Sequence, residues 1–238
     1  MDTATEYPID GPLIAEVYRL GPGGETAELP RHRHDLTREQ VETTQKARII
    51  LATAQVVVDR SYAKASTREI ISAAGVSTKT FYAHFAGKEE AFLAGFTLMD
   101  GVMLGLAERP ISTTQPRTDL RNHVRASLEQ LAAWPLFTRM RFIEGPAAGP
   151  IALERRAAMM RSTVEVFARA IGEARARDDR VGSPSLGAIT VLNTGLRDLM
   201  AQWVVDHGPE TLPELAPVMV EAIERFCFQD PPDYVDGE

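Results

Sequence analysis

One cysteine, Cys227, stands in a chain of 238 residues, so no intramolecular disulfide is available and a reducing compartment suits the protein. It lies in an apolar stretch and reads as a small buried hydrophobe rather than a redox sensor. No apolar run reaches the about 18 residues that a membrane-spanning helix needs, and no membrane partner is expected. The first residues carry Asp2, Glu6 and Asp10 and no basic stretch ahead of an apolar core. A secretory signal is therefore not expected, and a cytoplasmic location is. HExxH, CxxC and Gly-rich phosphate loops are all missing, and five scattered histidines make no metal constellation. No enzyme, metal or cofactor is expected on those grounds. Alternation of period two is missing as well, which leaves an all-α fold.

Acidic residues are locally missing too. Between Ile70 and Lys88 there is neither Asp nor Glu, while Lys79, His84 and Lys88 are present. The net charge is −7, which argues against a general nucleic-acid coat. Residues 31–90 nevertheless hold ten Lys/Arg and seven Asp/Glu, a balance of +3, so the remainder sums to −10. A mildly basic head on an acidic body is the balance expected of a sequence-specific DNA reader with a separate regulatory domain.

The region around that acid-free stretch reads as two short helices joined by a tight turn. Ser66 caps the first, and Glu69 three residues later completes a capping-box pattern. Ile70, Ile71 and Ala74 form its apolar side, and Gly75 ends it by accepting a left-handed backbone. Val76 plugs the turn. Ser77 caps the second helix, whose inner face is Phe81 and Phe85 at i, i+4. Thr78, Lys79 and Tyr82 lie on its outer face, and Ser77 and Thr80 add short neutral donors. The pattern is that of a helix-turn-helix, whose second helix enters the major groove. A plain helical hairpin with a solvated polar face would share it.

The residue string is more specific than the pattern. Thr67-Arg68-Glu69-Ile70, Ala74-Gly75-Val76-Ser77, Thr80-Phe81-Tyr82-Ala83-His84-Phe85 and Lys88-Glu89 resemble the TetR family of bacterial transcriptional regulators. The close resemblance covers about residues 38–95. It implies a three-helix DNA-binding domain over 37–87 and a helical effector-binding and dimerisation domain over 88–230, about nine helices in all. Residues 1–36 are expected as a flexible extension, in which Leu13 to Leu20 is the one stretch open to forming a short ordered piece. Their basic end, Arg31-His32-Arg33-His34, is either an arm along DNA or a solvated linker.

By position in the motif, Thr67 and Arg68 lie beside the DNA backbone, and Ser77, Thr78, Lys79 and Thr80 face the groove. Lys79 is the candidate base reader, toward guanine. Many members carry glycine or proline where Lys79 stands, so a phosphate contact is the other reading of it. Tyr82, His84 and Lys88 are candidate phosphate contacts. The resemblance further implies a ligand-relieved repressor that binds a palindromic operator as a homodimer. A sensor or scaffold of the same fold without specific DNA binding is the alternative.

The rest of the chain is read by its stripes. Thr37 caps a helix over 38–60 with Val41, Ile50, Ala54 and Val57 inward. A helix from Lys88 carries Phe92, Phe96, Met99, Met103 and Leu106 at spacings of 4, 3, 4 and 3 on one face, and Pro110 stops it. Further helices are expected over 119–133, 135–144, 151–177, 184–207 and 212–228, with a loose tail after Pro231. The last two long ones carry apolar residues on more than one side, which a surface helix does not need and a dimer interface does. Leu192, Leu199, Trp203, Met219 and Phe226 are the interface candidates, with Gly187 and Gly195 admitting close approach. Phe96, Met99, Met103, Trp134, Phe137, Met140, Met160, Val164, Phe167, Asn193 and Leu196 are candidates for a pocket taking a hydrophobic small-molecule effector. Each of them reads more readily as plain core than as a ligand contact. Arg141, Glu144, His123 and Asn193 are the polar groups available to orient a ligand.

Overall fold

A computed structural model describes residues 11–21, 37–107 and 115–228. In chain order the α-helices are α1 (Gly11–Leu20), α2 (Arg38–Arg60), α3 (Thr67–Ala74), α4 (Thr78–His84), α5 (Lys88–Ala107), α6 (Pro116–Ala133), α7 (Pro135–Arg139), α8 (Pro150–Arg175), α9 (Leu186–His207) and α10 (Ala216–Cys227). Among the described residues there is no strand, only an isolated bridge between Val181 and Phe228. The basic run Arg31–His34, Pro110 and the tail after Pro231 lie outside the described residues.

The chain forms two compact units. The first takes residues up to 102 together with 133–153, and the second takes 103–132 together with 154 onward.

In the first unit, α2 is started by a capping box. Thr37 Oγ1 accepts the Gln40 N–H at 3.2 Å and Gln40 Oε1 accepts the Thr37 N–H at 2.8 Å. Ala47, Ile50, Ala54 and Val57 are its innermost residues, whereas Val41, expected inward, is 38 % exposed. Val41 stands in the first turn, where α2 has little to pack against. Helix α1 is a firmer element than its Gly- and Pro-rich surroundings suggest. Leu13, Val17 and Leu20 are buried, and Glu16 accepts the Thr44 hydroxyl of α2 at 2.6 Å. Tyr18 lies edge-on to Trp134, centroids 4.5 Å apart.

Helix α5 departs from a one-sided stripe. Residues 91–96 are buried all round, as a helix in the middle of a core must be. Its packing partners leave no room for larger residues. A Cβ on Gly95 would meet Met140 Cε at 2.7 Å, and one on Gly145 would meet the Phe96 ring at 2.3 Å. The segment expected as one helix over 135–144 is α7 followed by a π-helix, Met140–Glu144, and a 3-10 turn, Gly145–Ala147. π-helices are rare and concentrate at functional positions. Here the π-turn aims Arg141 at Asp100 and Glu144 at the Tyr62 N–H, the latter at 2.7 Å.

In the second unit, α6 begins at Pro116, three residues ahead of expectation, because proline suits a helix's first turn. Its inner residues Val124, Leu128 and Leu131 are buried. Arg121 makes a two-pronged bond to Glu224 of α10, Nε to Oε1 at 2.7 Å and Nη2 to Oε2 at 3.2 Å. Ser185 caps α9, and a 3-10 stretch, Pro209–Leu215, precedes α10. The end of α10 is pinned to the turn after α8, where Gly182 N–H donates to the Cys227 carbonyl at 2.7 Å. Burial pushes the Cys227 thiol up to about 11. At pH 8 the folded protein is therefore expected to resist iodoacetamide, with labelling only in denaturant. Rapid labelling of the native chain, read by mass spectrometry, would contradict that burial.

Candidate nucleic-acid interface

The two helices of the reading unit are positioned by their caps. At α3, Ser66 Oγ accepts the Glu69 N–H at 3.3 Å while Glu69 Oε2 accepts the Ser66 N–H at 3.0 Å. Gly75 ends α3 at φ 60°, ψ 36°, donating its N–H to the Ile71 and Ser72 carbonyls. Only glycine takes that backbone without strain. The Arg48 guanidinium of α2 closes over this corner, and a Cβ on Gly75 would come within 2.5 Å of its Nη2.

Helix α4 starts at Ser77, whose Oγ accepts the Thr80 N–H at 3.0 Å and sits 2.8 Å from the Thr80 hydroxyl. Phe81 is fully buried and Phe85 nearly so, which fixes the helix by its inner face. Ser77, Thr78 and Lys79 are then exposed, Thr80 is half-buried and Tyr82 is 56 % exposed. Thr67 is half-buried and Arg68 exposed at the start of α3. Seven residues are short for a helix in water, so α4 stands by its packing and its cap.

Two of the candidate phosphate contacts have internal partners. His84 Nε2 lies 3.0 Å from Gln45 Oε1 on α2. Burial first, then the charge of Lys46, holds the imidazole below its usual range, while Glu42 pulls the other way. Lys88 Nζ donates to the Tyr62 and Ala65 carbonyls at 2.7 and 2.9 Å and sits 4.4 Å over the Tyr62 ring. Its ammonium thus serves the turn between α2 and α3, and it is half-buried rather than free on the surface. Sequence reasoning missed Gln45 and Tyr62, because their partners lie 39 and 26 residues away and no spacing rule reaches that far.

The effector candidates divide between the units. Phe96, Met99, Trp134, Phe137 and Met140 are buried core of the first unit. Met103, Met160, Val164, Phe167, Asn193 and Leu196 belong to the second, which holds two apolar cavities of its own. One, between α6, α8 and α10, is a small space of about 60 Å³, partly open to solvent, with His123 on its wall. The other, between α8, α9 and α10, is smaller, about 30 Å³, and is lined by Asn193 and Leu196 among others. Phe167, Ile171, Ile223 and Cys227 line both, so the two cavities are neighbours. Of the polar candidates, His123 lies edge-on to Phe167 and Asn193 Nδ2 sits 2.9 Å from the Met160 sulfur. Arg141 and Glu144 are committed to Asp100 and Tyr62 inside the first unit.

On the two last helices Leu199 is exposed, and Leu192, Trp203 and Phe226 are half-buried. Trp203 Nε1 donates to the Thr211 hydroxyl at 2.9 Å. Met219 is buried. The apolar residues left open on these helices include Leu186, Val191, Val205 and Val218. Val191, Gly195 and Leu199 follow at i, i+4, i+8 on one face, and a Cβ on Gly195 would meet nothing within 4 Å.

Known proteins resemble this chain in the same places. Residues 49–94 match the model of bacterial regulatory proteins of the tetR family. The HTH-type transcriptional activator FasR of Mycolicibacterium smegmatis is 35 % identical over 82 residues, which is 34 % of this chain and 37 % of that protein. A bacterial regulatory protein of the tetR family from Rhodococcus RHA1 superposes with a TM-score of 0.58 at 26 % identity, covering 74 % of this chain and 96 % of that one. The regulator FadR from Bacillus subtilis, solved with stearoyl-CoA, superposes with a TM-score of 0.61 at 15 % identity, covering 73 % of this chain and 95 % of that one. At that identity the likeness speaks to the fold alone.

Proposed function

We propose that the chain, whose residues 49–94 match bacterial regulatory proteins of the tetR family, is a sequence-specific regulator that binds a palindromic operator as a two-fold homodimer. The observation that carries this reading is the outer face of α4. Thr78, Lys79 and Tyr82 stand exposed on a helix free of acids, fixed from behind by Phe81 and Phe85. A phosphate-facing surface needs donors and no carboxylates. Dimer formation is supported by the open Val191–Gly195–Leu199 face, where a bare glycine lets a second helix approach closely. Two reading helices about 34–36 Å apart then address successive major grooves.

The effector we infer is a hydrophobic small molecule. The apolar lining of the two neighbouring cavities in the second unit supports this. Ligand binding relieves operator occupancy to the extent that it favours the non-binding conformation. Whether occupancy represses or activates follows from where the operator sits relative to its promoter.

Selection of bound duplexes from a random pool at near-physiological salt tests the reading. Enrichment of a two-fold symmetric site supports it. Binding without enrichment that vanishes as salt rises sinks it, and favours a sensor of the same fold without specific DNA binding. On the selected site, Lys79→Ala is expected to relax preference at one base pair, worth about 1–3 kcal/mol of discrimination. Tyr82→Phe should weaken all duplexes alike. A uniform loss from both changes would reject the division of labour between base and phosphate.

A further inference from the structure

We propose that Lys46 of α2, three residues ahead of the family match, is an additional phosphate contact of the DNA interface, presented beside the end of α4 by the Gln45–His84 hydrogen bond. The proposal rests on the DNA-binding reading above.

The geometry runs through residues 44–47. Thr44 and Ala47 are buried, so they fix the rotation of α2 about its axis. Gln45 is turned toward α4 and meets His84 at 3.0 Å. Lys46, one residue on, is exposed. It makes no hydrogen bond and no ion pair within 4 Å among the described residues, although Glu42 stands one turn before it. Glu42 is instead occupied by Arg38, Nε to Oε1 at 2.9 Å. The ammonium of Lys46 is close enough to His84 to bear on its protonation, and so is Glu42.

These facts join into one surface. His84 and Tyr82 lie in the last turns of α4, the part of a recognition helix that follows the base-reading residues. A cation beside His84 stands over the same stretch of backbone. An ordinary surface lysine on a helix would pair at i, i+4, and here that partner is engaged by another residue. Arg38 holds the Glu42 carboxylate by a hydrogen bond, while Lys46 acts on it through charge alone, so the N–H donors of the Lys46 ammonium stay open to a phosphate. Such a contact positions the protein and carries no sequence information. It lies outside the helix-turn-helix pair, so the motif gives no sign of it.

The full chain should be titrated with the selected duplex across a salt series, as wild type, Lys46→Ala, Lys46→Arg and Arg169→Ala. Arg169 is an exposed residue of α8 and controls for the loss of one charge. For Lys46→Ala the slope of log affinity against log salt should fall by about 0.9 per subunit, and affinity near physiological salt by roughly tenfold. Base preference should not change, and Lys46→Arg should restore the slope. An unchanged slope for Lys46→Ala, on a wild type that does enrich a symmetric site, overturns the Lys46 contact and leaves the DNA-binding reading intact. A loss accompanied by a lowered melting temperature and not restored by arginine overturns it as well, by making Lys46 structural. A wild type with no preferred duplex removes the DNA-binding reading and this proposal together.

Discussion

Phe81→Ala is expected to destabilise the DNA-binding region by about 3–5 kcal/mol and to abolish operator binding. The ring is fully buried, with Tyr82 edge-on at 5.3 Å and Phe85 tilted at 6.2 Å between centroids. It is the one buried residue within the seven of α4. A helix of that length has almost no stability of its own, because nucleation costs more than a single turn of hydrogen bonds returns. Its place is held by Phe81, by Phe85 just beyond its end and by the Ser77 cap. Removing the ring leaves a cavity and frees α4 from α2 and α3. Thermal unfolding followed by circular dichroism and duplex titration would read the two effects separately. A variant that melts with the wild type and still binds its operator would show that α4 is held by something other than Phe81.

Arg121→Met is expected to cost on the order of 3 kcal/mol in the second unit. Glu224 is only 1 % exposed, and its carboxylate receives both prongs of the Arg121 guanidinium. Arg121 itself is 42 % exposed on its side chain, so the pair is wet on one side and buried on the other. Taking away the arginine strands a charge that has already left water. Taking away both charges does not, so the double variant Arg121→Met with Glu224→Leu should recover most of the loss. Chemical denaturation of the three variants measures this. Equal destabilisation by the single and double changes would mean that the pair acts through packing rather than charge.

Local signals in the chain carried far. Thr37, Ser66, Ser77 and Gly75 mark helix ends by chemistry that acts within three or four residues, and each stands at the end it announces. The inward pair Phe81 and Phe85 follows from helix periodicity alone. What was not legible depends on residues distant in sequence. A short ordered piece over Leu13 to Leu20 is legible in α1, but what docks it, the buried Val17 and Leu20 and Glu16 on Thr44 of α2, is not. The motif position of Lys88 carries no sign that its ammonium meets the Tyr62 and Ala65 carbonyls, which lie more than 20 residues away. The π-turn at 140–144 has no propensity signature and exists where Arg141 and Glu144 find partners. Apolar stripes also do not distinguish filled core from cavity wall. Trp134, Phe137 and Met140 turn out to be the former, and Phe167, Asn193 and Leu196 the latter.

The first compact unit is discontinuous, and that bears on how the protein is made. Its last segment, residues 133–153, leaves the ribosome only after 30 residues of the second unit have been added, 103 through 132. At about 5–20 residues per second the delay is a few seconds, long compared with the time a helix takes to form. During that interval α2 and the all-round apolar turns of α5 have no α7 or π-turn against which to close. A nascent chain in that state exposes the surface that chaperones hold. The helices proposed to read DNA, α3 and α4, are therefore translated before the last segment that completes their unit.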